Sequence, residues 1–168
     1  MNGLLFLTSE DFTIRKGLKG DIMCHDAPGF MLVLFYAPTC EHCKNIIPIF
    51  KSLTGSVMGC QFGMINVQRS RECVTMSKNT IAPITYVPLV ILYIDGKPFM
   101  VYDGEYKQDS IKRFILDVAN NIQKKQQFSK DKVVQKNDDI PMYTCGKPVC
   151  GNDKVCYLNY KDAYNNIN

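Results

Sequence analysis

Phe30-Met31-Leu32-Val33-Leu34-Phe35-Tyr36-Ala37-Pro38-Thr39-Cys40-Glu41-His42-Cys43-Lys44-Asn45-Ile46-Ile47-Pro48-Ile49-Phe50 reads as strand, tight turn and helix in one unbroken run. Residues 30–36 are apolar or aromatic at every position, so neither face of the strand suits water, and a central strand covered on both sides by helices follows. Ala37-Pro38-Thr39 ends it. Beyond the turn, Ile46, Ile47, Phe50 and Leu53 recur at helical spacing, and Pro48 is expected to bend the helix because it has no N–H to donate. Cys40 therefore falls at the helix N-terminus, with Cys43 three residues on and on the same face.

Outward from this unit the pattern continues as alternating elements. Leu4-Leu5-Phe6-Leu7 predicts a short first strand, and Thr8 or Ser9 followed by Glu10 and Asp11 predicts the start of a short helix. Gly17, Gly20, Pro28 and Gly29 divide the next segment into loops. Residues 62–67 read as a strand, 71–79 as including a helix, and 87–94 as a third buried strand with Pro88 at its very start, since proline donates no ladder bond. Asp95-Gly96 is a hairpin signal leading to Phe99-Met100-Val101-Tyr102, so these last two strands should run antiparallel. Ile111, Phe114, Ile115 and Val118 mark the apolar face of a closing helix that fades near Gln123. The expected organisation is a core domain over 1–123, a polar linker over 124–139, and a tail over 140–168. That tail carries Cys145, Cys150 and Cys156 with Tyr143, Tyr157, Tyr160 and Tyr164. The aromatics suit docking, either onto a sheet edge of the same molecule or onto a neighbouring protein.

A chain of 168 residues with 46% apolar and 21% charged residues has room for one packed core and little else. Its formal charge of +4 is too mild for a nucleic-acid footprint, and Glu72 and Asp131 dilute the basic residues near Arg69, Arg71 and Lys130. Leu4-Leu5-Phe6-Leu7 has no basic flank and is soon followed by Glu10 and Asp11, so neither a signal peptide nor a membrane span is expected there. A cytoplasmic protein is expected, in a compartment that keeps thiols reduced. Eight cysteines then need an explanation. Cys24, Cys60 and Cys73 lie in or near structured segments and read as small packing hydrophobes. Cys145, Cys150 and Cys156 lack the four-ligand knuckle spacing of a zinc site.

Cys40 and Cys43 carry the chemistry. Unpaired N–H groups and the positive end of the helix dipole favour an anion at Cys40, which supplies the thiolate that attacks a disulfide, while Cys43 resolves the mixed disulfide. His42 stabilises that thiolate when it is protonated or donates a hydrogen bond; its other reading is a solvated surface histidine. Glu41 opposes the thiolate, weakly if exposed. Zinc sites share the C-x-x-C spacing, so the pair alone leaves two chemistries open.

The string 32–44 with Pro48 resembles the active-site segment of the thioredoxin superfamily, and Phe35-Tyr36-Ala37-Pro38 with His42-Cys43-Lys44 is most similar to protein disulfide isomerase domains. Tyr86-Val87-Pro88, followed by a strand and Asp95-Gly96-Lys97-Pro98, resembles that family's cis-proline loop. Phe62-Gly63-Met64-Ile65-Asn66-Val67, Ile84-Thr85-Tyr86-Val87-Pro88 and the cysteine-rich tail are similar to thioredoxin-like proteins of nucleocytoplasmic large DNA viruses. The resemblance covers roughly residues 4–123 and implies an α/β thioredoxin fold: a central mixed sheet flanked by helices, here with a cysteine-rich C-terminal extension. It further implies Cys40 as nucleophile, Cys43 as resolving thiol, a cis Val87–Pro88 bond, and Val87 and Pro88 as the backbone platform for extended substrate beside Thr39. Protein thiols or disulfides are the implied partners, with no metal or organic cofactor. The viral likeness adds a place in the virion, with viral structural proteins as partners of the tail. Thr39 stands where most members have tryptophan, and Leu34 and Met64 stand where a buried acid and its lysine partner usually sit. An apolar pair avoids a buried unpaired charge but removes an internal proton relay. Two function classes therefore remain: a thiol–disulfide oxidoreductase that forms or isomerises protein disulfides, and a structural or binding component of a virus particle with little turnover.

Overall fold

Residues 30–36 become the middle strand of a five-stranded mixed sheet. The computed structural model describes residues 3–129 together with the strand Cys156–Tyr157. In chain order the elements are β1 (Leu4–Leu7), a 3-10 turn (Ser9–Asp11), β2 (Thr13–Lys16), β3 (Asp21–Cys24), β4 (Phe30–Tyr36) and α1 (Glu41–Ser52). They continue with β5 (Cys60–Asn66), α2 (Arg71–Ser77), β6 (Tyr86–Val87), β7 (Leu89–Ile94), β8 (Lys97–Tyr102), α3 (Gln108–Ser129) and β9 (Cys156–Tyr157). The main sheet has the order β1-β5-β4-β7-β8. β4 pairs in parallel with β5 and antiparallel with β7, so both of its edges are bonded and both of its faces are covered.

Alternation along β4 sorts the core into two layers. Leu32 and Leu34 join Phe62, Val90 and Leu92 beneath Ile46 and Phe50 of α1 and Ile111 and Ile115 of α3. Met31, Val33 and Phe35 point the other way, toward Phe12, Met23, Val74 of α2, Ile91 and Tyr93. The apolar spacing read in α1 and α3 is thus the spacing of the residues that touch the sheet. Leu34 stands directly opposite Met64 in the β4–β5 register, and both side chains are buried. The two expected charges are absent from one cross-strand pair, so the apolar lining is continuous there.

β7 and β8 form the expected antiparallel hairpin. Asp95 and Gly96 both have positive φ, 49° and 80°, as a two-residue turn that follows the strands' own twist requires. Gly96 is also a close approach: a Cβ there would lie 1.8 Å from the carbonyl oxygen of His25, whose N–H donates to the Gly96 carbonyl at 3.0 Å.

The structure differs from the sequence expectation in four places. The stretch divided into loops contains an antiparallel hairpin, β2–β3, with Thr13 opposite Cys24 and Lys16 opposite Asp21. Every residue of β2 is exposed, so the strand has no inward-facing apolar alternation to betray it; its order comes from the ladder itself. β5 begins at Cys60 instead of 62, because Cys60 pairs with Phe30. The run 87–94 is divided at Pro88 into β6 and β7, as a residue without N–H demands. Finally, α3 continues past Gln123 to Ser129, into the stretch expected to begin the linker. Lys, Gln and Ser are acceptable helix residues, so loss of an apolar face does not by itself end a helix. The rest of the expected linker, and Cys145, Cys150, Tyr143, Tyr160 and Tyr164 of the tail, lie outside the described residues.

Phe50 is fully buried and meets Phe62 edge to face, ring centres 5.8 Å apart at 79°. Phe50→Ala removes that contact between α1 and β5, and should cost about 3–5 kcal/mol of stability in denaturant unfolding. A cost under about 1 kcal/mol would place α1 elsewhere.

Candidate functional site

The site is assembled where β4 ends. Tyr36 is the last strand residue, the Cys40 N–H donates to the Ala37 carbonyl at 3.1 Å to close the turn, and the Lys44 N–H donates to the Cys40 carbonyl at 3.2 Å to open the helix. Cys40 is the N-cap of α1, and its Sγ accepts a hydrogen bond from the Cys43 N–H at 3.3 Å. That is the bond a serine or aspartate would usually accept at the third helical N–H. Here a cysteine sulfur takes it, so the side chain that completes the helix end is a thiol.

Sγ of Cys40 also donates to the Val87 carbonyl at 3.8 Å, across a sequence separation that only the fold can close. The Val87–Pro88 bond is cis, as the resemblance implied. Cys40 is 5% exposed and Cys43 is fully buried, with no disulfide between them. Val87 and Pro88 are buried at the same end of the sheet. Thus Cys40, Cys43, Val87 and Pro88 are brought together. Thr39 is exposed and its Oγ1 accepts from the Gln68 side chain at 2.6 Å, which ties the turn to the loop after β5. His42 is half-buried and lines a shallow cleft with Asn45, Glu105, Tyr106 and Lys107.

Two features were missed in the sequence, and a third was foreseen only as one of two alternatives for the tail. Lys44 pairs with Glu41 at 2.7 Å, three residues apart on one face. This hydrogen bond first, and the Lys44 charge second, hold the Glu41 carboxyl below its usual range, while the same partner raises Lys44, with a small further contribution from nearby Cys40. The negative charge expected to oppose a thiolate is therefore neutralised locally. The Glu-x-x-Lys spacing is the signal that could have found it. Tyr106, on the loop before α3, sits near Tyr86, Cys43 and Cys40; burial first, then these neighbours, pushes its phenol up and keeps it neutral. Nothing in the sequence ties residue 106 to residue 40.

The third feature is the edge of the site. β6 is outside the main sheet and pairs antiparallel with β9, with Tyr86 opposite Tyr157 and Val87 opposite Cys156. A strand from near the C-terminus thus lies on the backbone that faces Cys40. Among the described residues, no three His, Cys, Asp or Glu side chains converge where a metal ion could sit, and no helix is long and apolar enough to cross a membrane.

The remaining described cysteines serve the core. Burial pushes the Cys24 thiol up, Cys60 to about 11 and Cys73 to about 12, with neighbouring Glu72 adding to the shift at Cys73. Their thiolates are disfavoured, so they are poor nucleophiles at neutral pH.

Comparison with known proteins bears on the same residues. A family profile described as Thioredoxin matches residues 21–117. Uncharacterized protein 020R of Invertebrate iridescent virus 3 is 37% identical over 166 residues, covering 96% of this chain and 96% of its own. Uncharacterized protein 196R of Invertebrate iridescent virus 6 is 33% identical over 176 residues, covering 98% and 95%. Protein disulfide-isomerase of Saccharomyces cerevisiae is 27% identical over 105 residues, covering 60% of this chain and 19% of that one.

The buried thiols set an alkaline limit. An unfolded chain loses these protons near pH 8.5–9, whereas the folded chain holds them to about 11 and about 12. In that window the native state binds more protons, so stability should fall as pH rises from about 9. Replacing Cys60 and Cys73 together by alanine should flatten the alkaline limb of a stability-against-pH curve. An unchanged slope would show that other groups set it.

Proposed function

The chain belongs to the thioredoxin family, and from that premise we propose that it is a protein thiol–disulfide oxidoreductase that forms or isomerises disulfides through Cys40 and Cys43. The observation that carries this reading is the position of Cys40 Sγ, capping α1 at 3.3 Å from the Cys43 N–H and lying 3.8 Å from the Val87 carbonyl. In the reductive direction Cys40 attacks one sulfur of a substrate disulfide. The helix-end N–H groups stabilise the attacking thiolate, and the substrate's second sulfur leaves with the electron pair of the broken bond. Cys43, one turn inward, then attacks the Cys40 sulfur of the mixed disulfide, releases the reduced substrate and closes the Cys40–Cys43 bond. The oxidative direction runs the same bonds in reverse.

Val87 and Pro88 supply the edge against which an extended substrate lies, with Thr39 at the exposed rim of the turn. His42 supports the thiolate by charge or by hydrogen bonding. Leu34 and Met64 stand where a carboxylate could take the Cys43 proton, so that proton passes to solvent instead. Exchange should be slower than where an internal acid helps. The proposed setting is the cytoplasm of an infected cell or the particle of a large DNA virus, given the iridescent-virus relatives. Leu34 opposite Met64 also favours a second reading, a thioredoxin-fold component of the particle with little turnover.

Trapping separates the two. Cys43→Ser should accumulate mixed disulfides with protein thiols through Cys40 alone, seen on non-reducing gels and lost in Cys40→Ser; an empty trap, with no insulin reduction by the parent chain, would favour the structural reading. The Cys40/Cys43 couple should have a reduction potential of about −270 to −180 mV against glutathione. His42→Ala removes support for the thiolate, disfavours the reduced form, and should lower that potential by about 30 mV, the equivalent of about 1.4 kcal/mol. No shift would return His42 to the role of a solvated surface residue.

A further inference from the structure

We propose that β9 is a built-in substrate strand, and that Cys156 is an internal exchange partner of Cys40. The inference rests on the oxidoreductase reading and deepens it by naming the first thiol the site meets. Its basis is a register: β9 runs antiparallel to β6, with Cys156 directly opposite Val87, and the carbonyl of that same Val87 is 3.8 Å from Cys40 Sγ. Directly opposed residues of an antiparallel pair have Cα atoms about 4.5–5.5 Å apart. That spacing sets residue 156 beside Val87, and the 3.8 Å contact sets Cys40 Sγ against the same residue, so the two cysteines share Val87 as a common neighbour.

β-augmentation is the mode by which an extended peptide is held on a free strand edge: main-chain bonds supply affinity and register, and the side-chain position supplies specificity. β6 is two residues long, ends just before Pro88, and among the described residues pairs with one strand, β9. The occupant is a segment of the same chain, and the residue it places opposite Val87 is a cysteine. Phe, Tyr or Val at this register would only block the edge; a thiol there can react.

The step balances without an outside oxidant. The Cys156 thiolate attacks Sγ of Cys40 in the Cys40–Cys43 disulfide. The Cys40–Cys156 bond forms, the Cys40–Cys43 bond breaks, and Cys43 leaves as a thiolate that takes up the proton Cys156 released. Cys43 can reverse the step, and an incoming protein thiol can instead attack Cys156 or Cys40 and carry the disulfide away. Protein substrates must displace β9 from β6, so the tail competes with them as well as reacting.

The test uses the full chain. Cys43→Ser is treated with oxidised glutathione, which first modifies Cys40; Cys156 should then displace glutathione. Non-reducing peptide mapping should recover Cys40–Cys156 at least about tenfold over Cys40–Cys145 and Cys40–Cys150, the advantage of a thiol held at the site over thiols merely tethered to it. Cys43→Ser/Cys156→Ser should retain glutathione on Cys40. Glutathione persisting on Cys40 in both variants, or equal linkage to all three tail cysteines, overturns the inference. Should Cys43→Ser not fold, the parent chain poised in a glutathione buffer and quenched in acid gives the same map. Insulin reduction by the parent chain, measured alongside, keeps the two readings apart: turnover without a Cys40–Cys156 bond rejects the tail's role and leaves the oxidoreductase standing, whereas absence of both rejects both.

Discussion

One sulfur atom has to satisfy two backbone demands at once. α1 opens with N–H groups that have no helical partner, and Cys40 Sγ accepts the one from Cys43. The same atom lies against the carbonyl of Val87, on a loop that the chain reaches only after β5 and α2. If α1 were rotated by a turn, or β7 shifted by one residue against β4, these two contacts could not coexist. The rest of the fold can be understood as what holds them in place. β4 is bonded on both edges and fixes the start of α1, while Ile46 and Phe50 fix the helix's rotation over the sheet. The antiparallel β4–β7 register fixes the height of Val87.

The thiols divide by environment. Cys24, Cys60 and Cys73 are buried where a charge has little support, and their acidities are weakened accordingly. Cys40 is scarcely more exposed, at 5%, but it sits at a helix end that offers N–H groups and beside Lys44. Burial by area therefore does not tell these cysteines apart; the polar groups around each sulfur do. The Leu34–Met64 pair follows the same logic from the opposite side. A buried acid there would need a buried base, and an apolar pair removes both costs together with the relay they would have formed.

The tail changes how the site is viewed. The edge that faces Cys40 Sγ does not stand bare: β9 is paired with it. β6 is too short to be stable as an isolated ladder, so what holds β9 must be considered together with what Val87 and Pro88 contribute from the sheet side.

Much was determined by sequence alone, for local reasons. The apolar run 30–36, the turn at Pro38, the helical spacing of Ile46, Phe50 and Leu53, and the Asp95-Gly96 hairpin each express a preference resolved within a few residues. The mixed sheet flanked by helices and the placement of Cys40 at a helix start followed from them. The β2–β3 hairpin was not legible because β2 buries none of its residues, and periodicity reports burial, not pairing. The continuation of α3 to Ser129 was not legible because a polar helix has no apolar stripe. Only the tertiary structure decided that Tyr106 approaches the two thiols and that Cys156 lies opposite Val87. Those are meetings between segments distant in sequence, and they depend on strand register and helix rotation, which packing of the whole core sets at once.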